Sequence, residues 1–202
     1  MQVLKDQVRN RIIASAKSEF LEKGFAGASM RIIAENAEIT VGNIYRYFSS
    51  KQLLFENVVH PAYLCVKNLL ESVQINEEMP LRSERYHIFR EKFVGEVSDA
   101  IIEYHSELLI LFNGTSGTAY ENTLGDVANM IFEILEKYLM DPLASRNSVQ
   151  NIKALGRLIS KGIVEAINDL LLRVEKSDRE GIMSELRTII DFYFRDLVTR
   201  FD

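Results

Sequence analysis

The sequence predicts an all-α protein, and three observations carry that prediction. Apolar residues recur at helical spacing along almost the whole chain. No segment alternates with period two around a hairpin pair. The 202 residues include only three prolines and ten glycines, which leaves room for long uninterrupted helices. A hydrophobic fraction of 47% and a charged fraction of 26% exclude wholesale disorder. A chain of this length suits one large domain or two small ones, and it buries enough surface to fold without a metal or disulfide staple.

The elements follow in order. Val8, Ile12, Ala16 and Phe20 recur every fourth residue, widened by Ile13 and Leu21, and predict a helix over about 5–23 that Gly24 stops. Ser29 reads as the hydroxyl cap of a short helix whose inner face is Met30, Ile33, Ala34 and Ala37. A break at 37–39 precedes a second cap, Thr40, and a helix with Ile44 and Phe48 pointing inward. Ser49 or Ser50 caps the next helix, a long one from about residue 52 to 70 that Pro61 should bend. Residues 74–80 read as a loop. Helices are expected over 81–102 and 103–112, then a break at 113–117, a helix over 120–139 ended by Asp141-Pro142, and two strongly apolar helices over 149–174 and 181–198. Short helices give way to long ones near residue 50, so the division expected is 1–51 and 52–202.

Charge is uneven along this frame. The net charge is −5, yet residues 1–51 carry eight Lys/Arg against five acids, and the remainder sixteen against twenty-four. A cationic end on an acidic body suits a chain that meets an anionic partner with one end, although scattered solvated charge reads the same way. The single cysteine, Cys65, cannot form an internal disulfide, which fits a reducing cytoplasm. The charged start lacks the apolar run of a secretory signal, and no stretch approaches the length of a membrane span.

Two short helices joined by about three residues, the second opening on a hydroxyl cap, form a helix-turn-helix arrangement. In the first three-helix segment, the second helix of that motif would enter a DNA major groove with its N-terminal residues at the base edges. Thr40 caps and can reach a phosphate or base. Val41 suits a thymine methyl, Gly42 a close backbone approach, and Asn43 a base edge or phosphate. Tyr45, Arg46 and Tyr47 offer donors to phosphates, and Lys51 adds charge and local amides. Two readings stay open beside this: Tyr45 and Tyr47 also suit half-buried packing, and Gly42 also suits close helix–helix contact.

The residues Arg11-Ile12-Ile13-Ala14-Ser15-Ala16, Phe20, Gly24-Phe25, Ser29-Met30-Arg31-Ile32-Ile33-Ala34 and the run from Thr40 to Leu54 closely resemble the N-terminal DNA-binding domain of TetR-family (tetracycline-repressor-like) transcriptional regulators. The resemblance covers about residues 8–58. It implies a helix-turn-helix domain contacting a palindromic operator on double-stranded DNA through Ser29, Arg31, Thr40, Val41, Gly42, Asn43, Tyr45, Arg46, Tyr47 and Lys51. The family's turn is usually Ala-Gly-Val. Here Glu38 stands in the glycine position and must take a conformation that glycine accepts more easily. The family often has histidine where Tyr47 stands.

The resemblance further implies that residues 52–202 form a helical-bundle ligand-binding and dimerisation domain. Wide stripes agree with a homodimer through the last two helices: Ile152, Leu155, Ile159, Ile163, Ala166, Ile167 and Leu170, then Ile182, Leu186, Ile189, Ile190, Tyr193, Phe194, Leu197 and Val198. Gly156, Gly162 and Ala166 would let helices of two subunits approach. The same stripes also suit the chain's own core. Phe89, Phe93, Tyr104, His105, Leu109, Phe112, Tyr120, Met130 and Phe132 either line an apolar pocket for a small effector or serve as plain core. His60, His87 and His105 form no metal-ligand pattern, and no cofactor is expected.

The expected function is therefore a ligand-responsive regulator, a repressor released from its operator by a small apolar or amphipathic effector. The alternative is a DNA-binding regulatory or architectural factor controlled by a protein partner. An enzyme is disfavoured: the sequence has no phosphate loop, no nucleophile elbow and no His/Cys cluster.

Overall fold

The computed structural model describes residues 2–73, 84–140, 152–175 and 177–194. Every regular element among them is helical: α1 Gln2–Gly27, α2 Met30–Asn36, α3 Val41–Tyr47, α4 Lys51–Glu71, α5 Glu84–Asn113, α6 Thr123–Leu135 with a π-turn Glu136–Met140, α7 Ile152–Arg173 and α8 Arg179–Phe194. Contacts gather into two compact units. The first is Met1–Cys65 with Tyr104–Thr123, and the second is Val66–Glu103 with Leu124–Asp202. The expected motif boundary at residue 51 coincides with the start of α4, whereas the first unit also takes in α4 to Cys65 and the end of α5.

In the first unit the four-residue spacing of α1 buries Ile12, Ala16 and Phe20, while Val8 is half-buried and Leu21 stays 45% exposed. Gly24 does interrupt the helix, with φ 63, and one further turn reaches Gly27. That left-handed residue brings the end of α1 against Gly114: the Phe25 amide donates to the Gly114 carbonyl at 2.8 Å. A Cβ on Gly114 would stand 3.3 Å from the Gly24 Cα, so the approach favours glycine at 114, while the left-handed φ favours it at 24. The break expected at 113–117 thus has a packing role.

Three rings close this core. Phe55 lies edge-on to Phe20 and Phe25 with centroids 5.0 and 5.1 Å away. Ile33, Ala34, Ala37, Ile44, Phe48, Leu54, Val58 and Val59 are buried around the same elements. α4 contains Pro61 and runs on past it to Glu71, so the proline is absorbed inside one helix.

In the second unit Phe132, Leu135, Met140, Ile152, Ile159 and Ile163 form a core, with Ile131, Leu155, Ile167, Tyr193 and Phe194 against it. Two of the glycines expected at a dimer face lie under side chains of this core. A Cβ at Gly156 would overlap the Met140 thioether, and one at Gly162 would overlap the Tyr193 phenol. The large apolar residues left outside on α7 and α8 are Leu158, Leu172 and Phe192, at 69%, 62% and 68% exposure. None of the stripe residues expected at the dimer face is among them.

Charged pairs knit α5 to α8. Arg90 binds Asp191 and, at 3.0 Å, Glu91, while Arg187 donates to Glu91 at 3.0 Å. The hydrogen bond from Arg187, helped by Arg90, holds the Glu91 carboxyl below its usual value. Arg179 reaches Asp99 at 2.9 Å.

Two expected helices are differently bounded. Those over 81–102 and 103–112 are one helix, α5, whose only trace of the expected break is Tyr104 at φ −112, ψ 22. α6 starts at Thr123 rather than Tyr120, because Thr118 and Thr123 hydroxyls donate to the carbonyls of Thr115 and Tyr120 and hold a turn there. The loop over 74–80, the Asp141-Pro142 stop, and Leu197 and Val198 lie outside the described residues.

Candidate nucleic-acid interface

The interface is built from α2, α3 and the turn between them. α2 ends with Glu38 at φ 56, the left-handed conformation expected of a residue in the glycine position. The Ile39 amide donates to Ala34 and the Glu38 amide to Glu35, both at 3.0 Å, which satisfies the carbonyls left free at the helix end. The turn therefore keeps its geometry without glycine, at a local strain on the order of 1 kcal/mol.

Thr40 caps α3 as expected, its Oγ1 accepting from the Asn43 amide at 3.2 Å. Ser50 does the same for α4, accepting from the Leu53 amide at 3.0 Å. Ser29 does not. It occupies the capping position of α2 with no side-chain cap bond, and its own amide donates to Glu19 Oε1 at 2.9 Å. Glu19, buried to 7% exposure one helix away, holds that corner. Its role is not legible in the sequence, because a glutamate on a helix reads as solvated.

Ile44 and Phe48 anchor α3 inward at 0% and 2% exposure, which fixes what faces out. Thr40, Gly42, Tyr45 and Arg46 are exposed, and Val41, Asn43 and Tyr47 are half-buried. A Cβ placed on Gly42 meets nothing within 4 Å, so close helix–helix contact is not its role. Tyr45, Tyr47, Arg31 and Arg46 make no hydrogen bond or ion pair with the described residues. The cations of the same end differ in this respect. Lys17 is held by Glu107 at 2.8 Å, Lys23 by Glu22 at 2.6 Å, and Arg11 by Glu38 at 3.2 Å.

Lys51 departs from the expected phosphate donor. Its ammonium donates to the Ala28 carbonyl at 3.0 Å and the Ala26 carbonyl at 3.5 Å, and it sits 4.6 Å from the centroid of the Phe25 ring. It closes the chain leaving α1 onto the start of α4. Arg9 plays a parallel part, bonded to Asn57 at 2.7 Å over the Phe48 ring.

The expected effector residues divide. Tyr104, His105, Leu109, Phe112 and Tyr120 belong to the first unit, while Phe89, Phe93 and Met130 belong to the second. Phe89 and Phe93 stack at 6.0 Å. Tyr120 gathers partners that the sequence did not single out for a ligand: its hydroxyl is 3.0 Å from His60 Nδ1, and its ring is 5.5 Å from Tyr63 and 6.3 Å from Phe55. Burial, then nearby Glu56 and Tyr63, raises the Tyr120 phenol above its usual value and keeps it neutral. Among the described residues no cluster of His, Cys, Asp and Glu is placed to hold a metal ion, and no helix is long and apolar enough to cross a membrane.

Residues 12–58 match the family described as bacterial regulatory proteins, tetR family. A probable HTH-type transcriptional regulator of Bacillus subtilis, YttP, is 37% identical over 73 residues, which are 36% of this chain and 35% of that protein. The match thus spans about a third of the curated relative's length. A TetR-like transcriptional regulator from Rhodococcus superposes with a TM-score of 0.65 at 19% identity, over 95% of this chain and 96% of its own. A transcriptional regulator from Aquifex aeolicus does so with a TM-score of 0.61 at 18% identity, over 93% and 99%.

Proposed function

We propose that the chain is a cytoplasmic transcriptional regulator that grips operator DNA through α3: residues 12–58 match the tetR family of bacterial regulatory proteins, and the fold is similar to that of a TetR-like regulator. The observation that carries the reading is the outward row of α3: an exposed bare backbone at Gly42, then Tyr45, Arg46 and Tyr47 with no hydrogen-bond or ion-pair partner among the described residues. Exposed donors without intramolecular partners suit phosphate and base contacts, because binding then breaks no internal bond. Thr40, Val41, Asn43, Arg31 and Ser29 complete the proposed contact set. Lys51 belongs to its support.

One short reading helix holds DNA weakly, so the proposal includes a homodimer on a palindromic operator. Leu158, Leu172 and Phe192 are the apolar surface that α7 and α8 leave for the partner subunit.

The proposed sense is repression relieved by a small apolar or amphipathic effector. α4 and α5 each run from one compact unit into the other, α5 through its non-helical Tyr104. An effector held within the first unit by Tyr104, His105, Leu109, Phe112 and Tyr120, or within the second by Phe89, Phe93 and Met130, would favour one of two states and so shift operator affinity. Selection of duplexes from a random pool, at a stated salt concentration, tests the DNA reading. A recovered palindrome supports it, and a chain that retains no duplex at low ionic strength ends it. Operator affinity unchanged by every ligand found to bind would end the induction reading alone.

A further inference from the structure

We propose that Glu38 withholds the Arg11 guanidinium from DNA, so that this one pair limits how tightly the reading head grips a duplex. The inference rests on the DNA-binding reading and concerns the regulation of the same site.

Four observations lead to it. Glu38 sits at the tip of the turn in a left-handed conformation that an acid does not favour, and no packing role accounts for it: its side chain is 82% exposed. Among the described residues its carboxylate pairs with Arg11 on α1, at 3.2 Å. Glu38 stands two residues before Thr40, the cap of the helix whose N-terminal end meets the groove. A carboxylate at that place repels phosphates, and it does so while holding a cation that has reach to spare, since Arg11 is 48% exposed. Finally, Lys5, Arg31 and Arg46 are the cations of residues 5–51 with no ion pair or hydrogen bond among the described residues, so freeing one more changes the head's spare charge substantially.

The pair is exposed and its loss should leave the fold intact, because such pairs contribute little to folding. Removing the acid then does two things. It deletes a repulsive charge beside the groove, and it releases a guanidinium that can neutralise a phosphate and displace a counterion.

The test uses the full chain and a random-sequence duplex, with affinity measured across a series of salt concentrations. Glu38→Gln is expected to bind several-fold more tightly at low salt, and to steepen the dependence of log affinity on log salt by about one unit. Glu38→Gly, which also suits the turn's backbone, is expected to match it. The double variant Arg11→Gln/Glu38→Gln is expected to return to the wild-type slope. A single variant that binds as wild type does, or a double variant that keeps the whole gain, would overturn the proposal while wild-type binding leaves the DNA reading standing. Wild type and variants that all fail to retain duplex would overturn both.

Discussion

The two compact units differ in which cations are paired. In the second, Arg90, Arg173, Arg179 and Arg187 are each tied to a carboxylate on another turn or helix, while Arg85, Arg157 and Lys161 have no carboxylate partner among the described residues. In the first, several cations are likewise tied, but Arg31 and Arg46 on the helix-turn-helix have no partner among the described residues. The difference teaches where to look for an anionic partner. A guanidinium already bonded to a carboxylate must break that bond to reach a phosphate, whereas a solvated one exchanges only counterions. Net charge alone misses this distinction, because it counts Lys51 and Arg46 alike.

The comparison also separates residues that build the head from residues that use it, and substitutions should split along that line. Phe55→Ala removes the ring on which Phe20 and Phe25 meet and should cost about 3–5 kcal/mol, read from denaturant unfolding, with duplex binding lost as the head loosens. Lys51→Ala removes two carbonyl contacts and a cation–ring contact. It should lower stability by about 1–2 kcal/mol and leave the salt slope of DNA binding unchanged. Arg46→Ala is the contrasting change. It should alter stability by less than about 0.5 kcal/mol yet lower the salt slope by about one unit. Reversal of those two slopes would break the division between support and contact.

Gly42→Ala sharpens it further. The position is open and helical, so alanine should raise the melting temperature, with a stabilisation of up to about 1 kcal/mol. If the bare backbone lies against DNA, the same variant should bind duplex more weakly, so that stability and binding move in opposite directions. The smallest effect belongs to the second unit. Glu91's carboxyl is lowered in the fold, so its contribution to stability is present above the unfolded carboxylate value and is lost as pH falls through the folded one. Glu91 is largely solvated, which limits that contribution to about 1 kcal/mol or less; Glu91→Gln should flatten the acid limb of a melting-temperature profile slightly.

Much of this was legible in the chain itself. The spacing of Ile12, Ala16 and Phe20, the cap at Thr40, the inward Ile44 and Phe48, and the strained turn at Glu38 all follow from local rules of periodicity and backbone geometry, which act within a few residues. The exposed row of α3 follows from them, because burying one face of a seven-residue helix decides the other. The bounds of α5 and α6 were read less well, since the kink at Tyr104 is a backbone distortion and the turn before Thr123 is held by threonine hydroxyls, neither of which apolar spacing encodes.

What only tertiary structure decided are the contacts between residues far apart in the chain. Glu19 meets Ser29, Lys51 meets the carbonyls of Ala26 and Ala28, Gly24 meets Gly114, and Gly162 makes room for Tyr193. Residue type does not announce such roles, because a lysine that caps carbonyls and a lysine that waits for phosphate have the same side chain. The local pattern fixes which face of each helix is buried. Which charge finds a partner, and which small residue is crossed by a neighbour, depends on how those faces come together, and that arrangement determines which donors remain free.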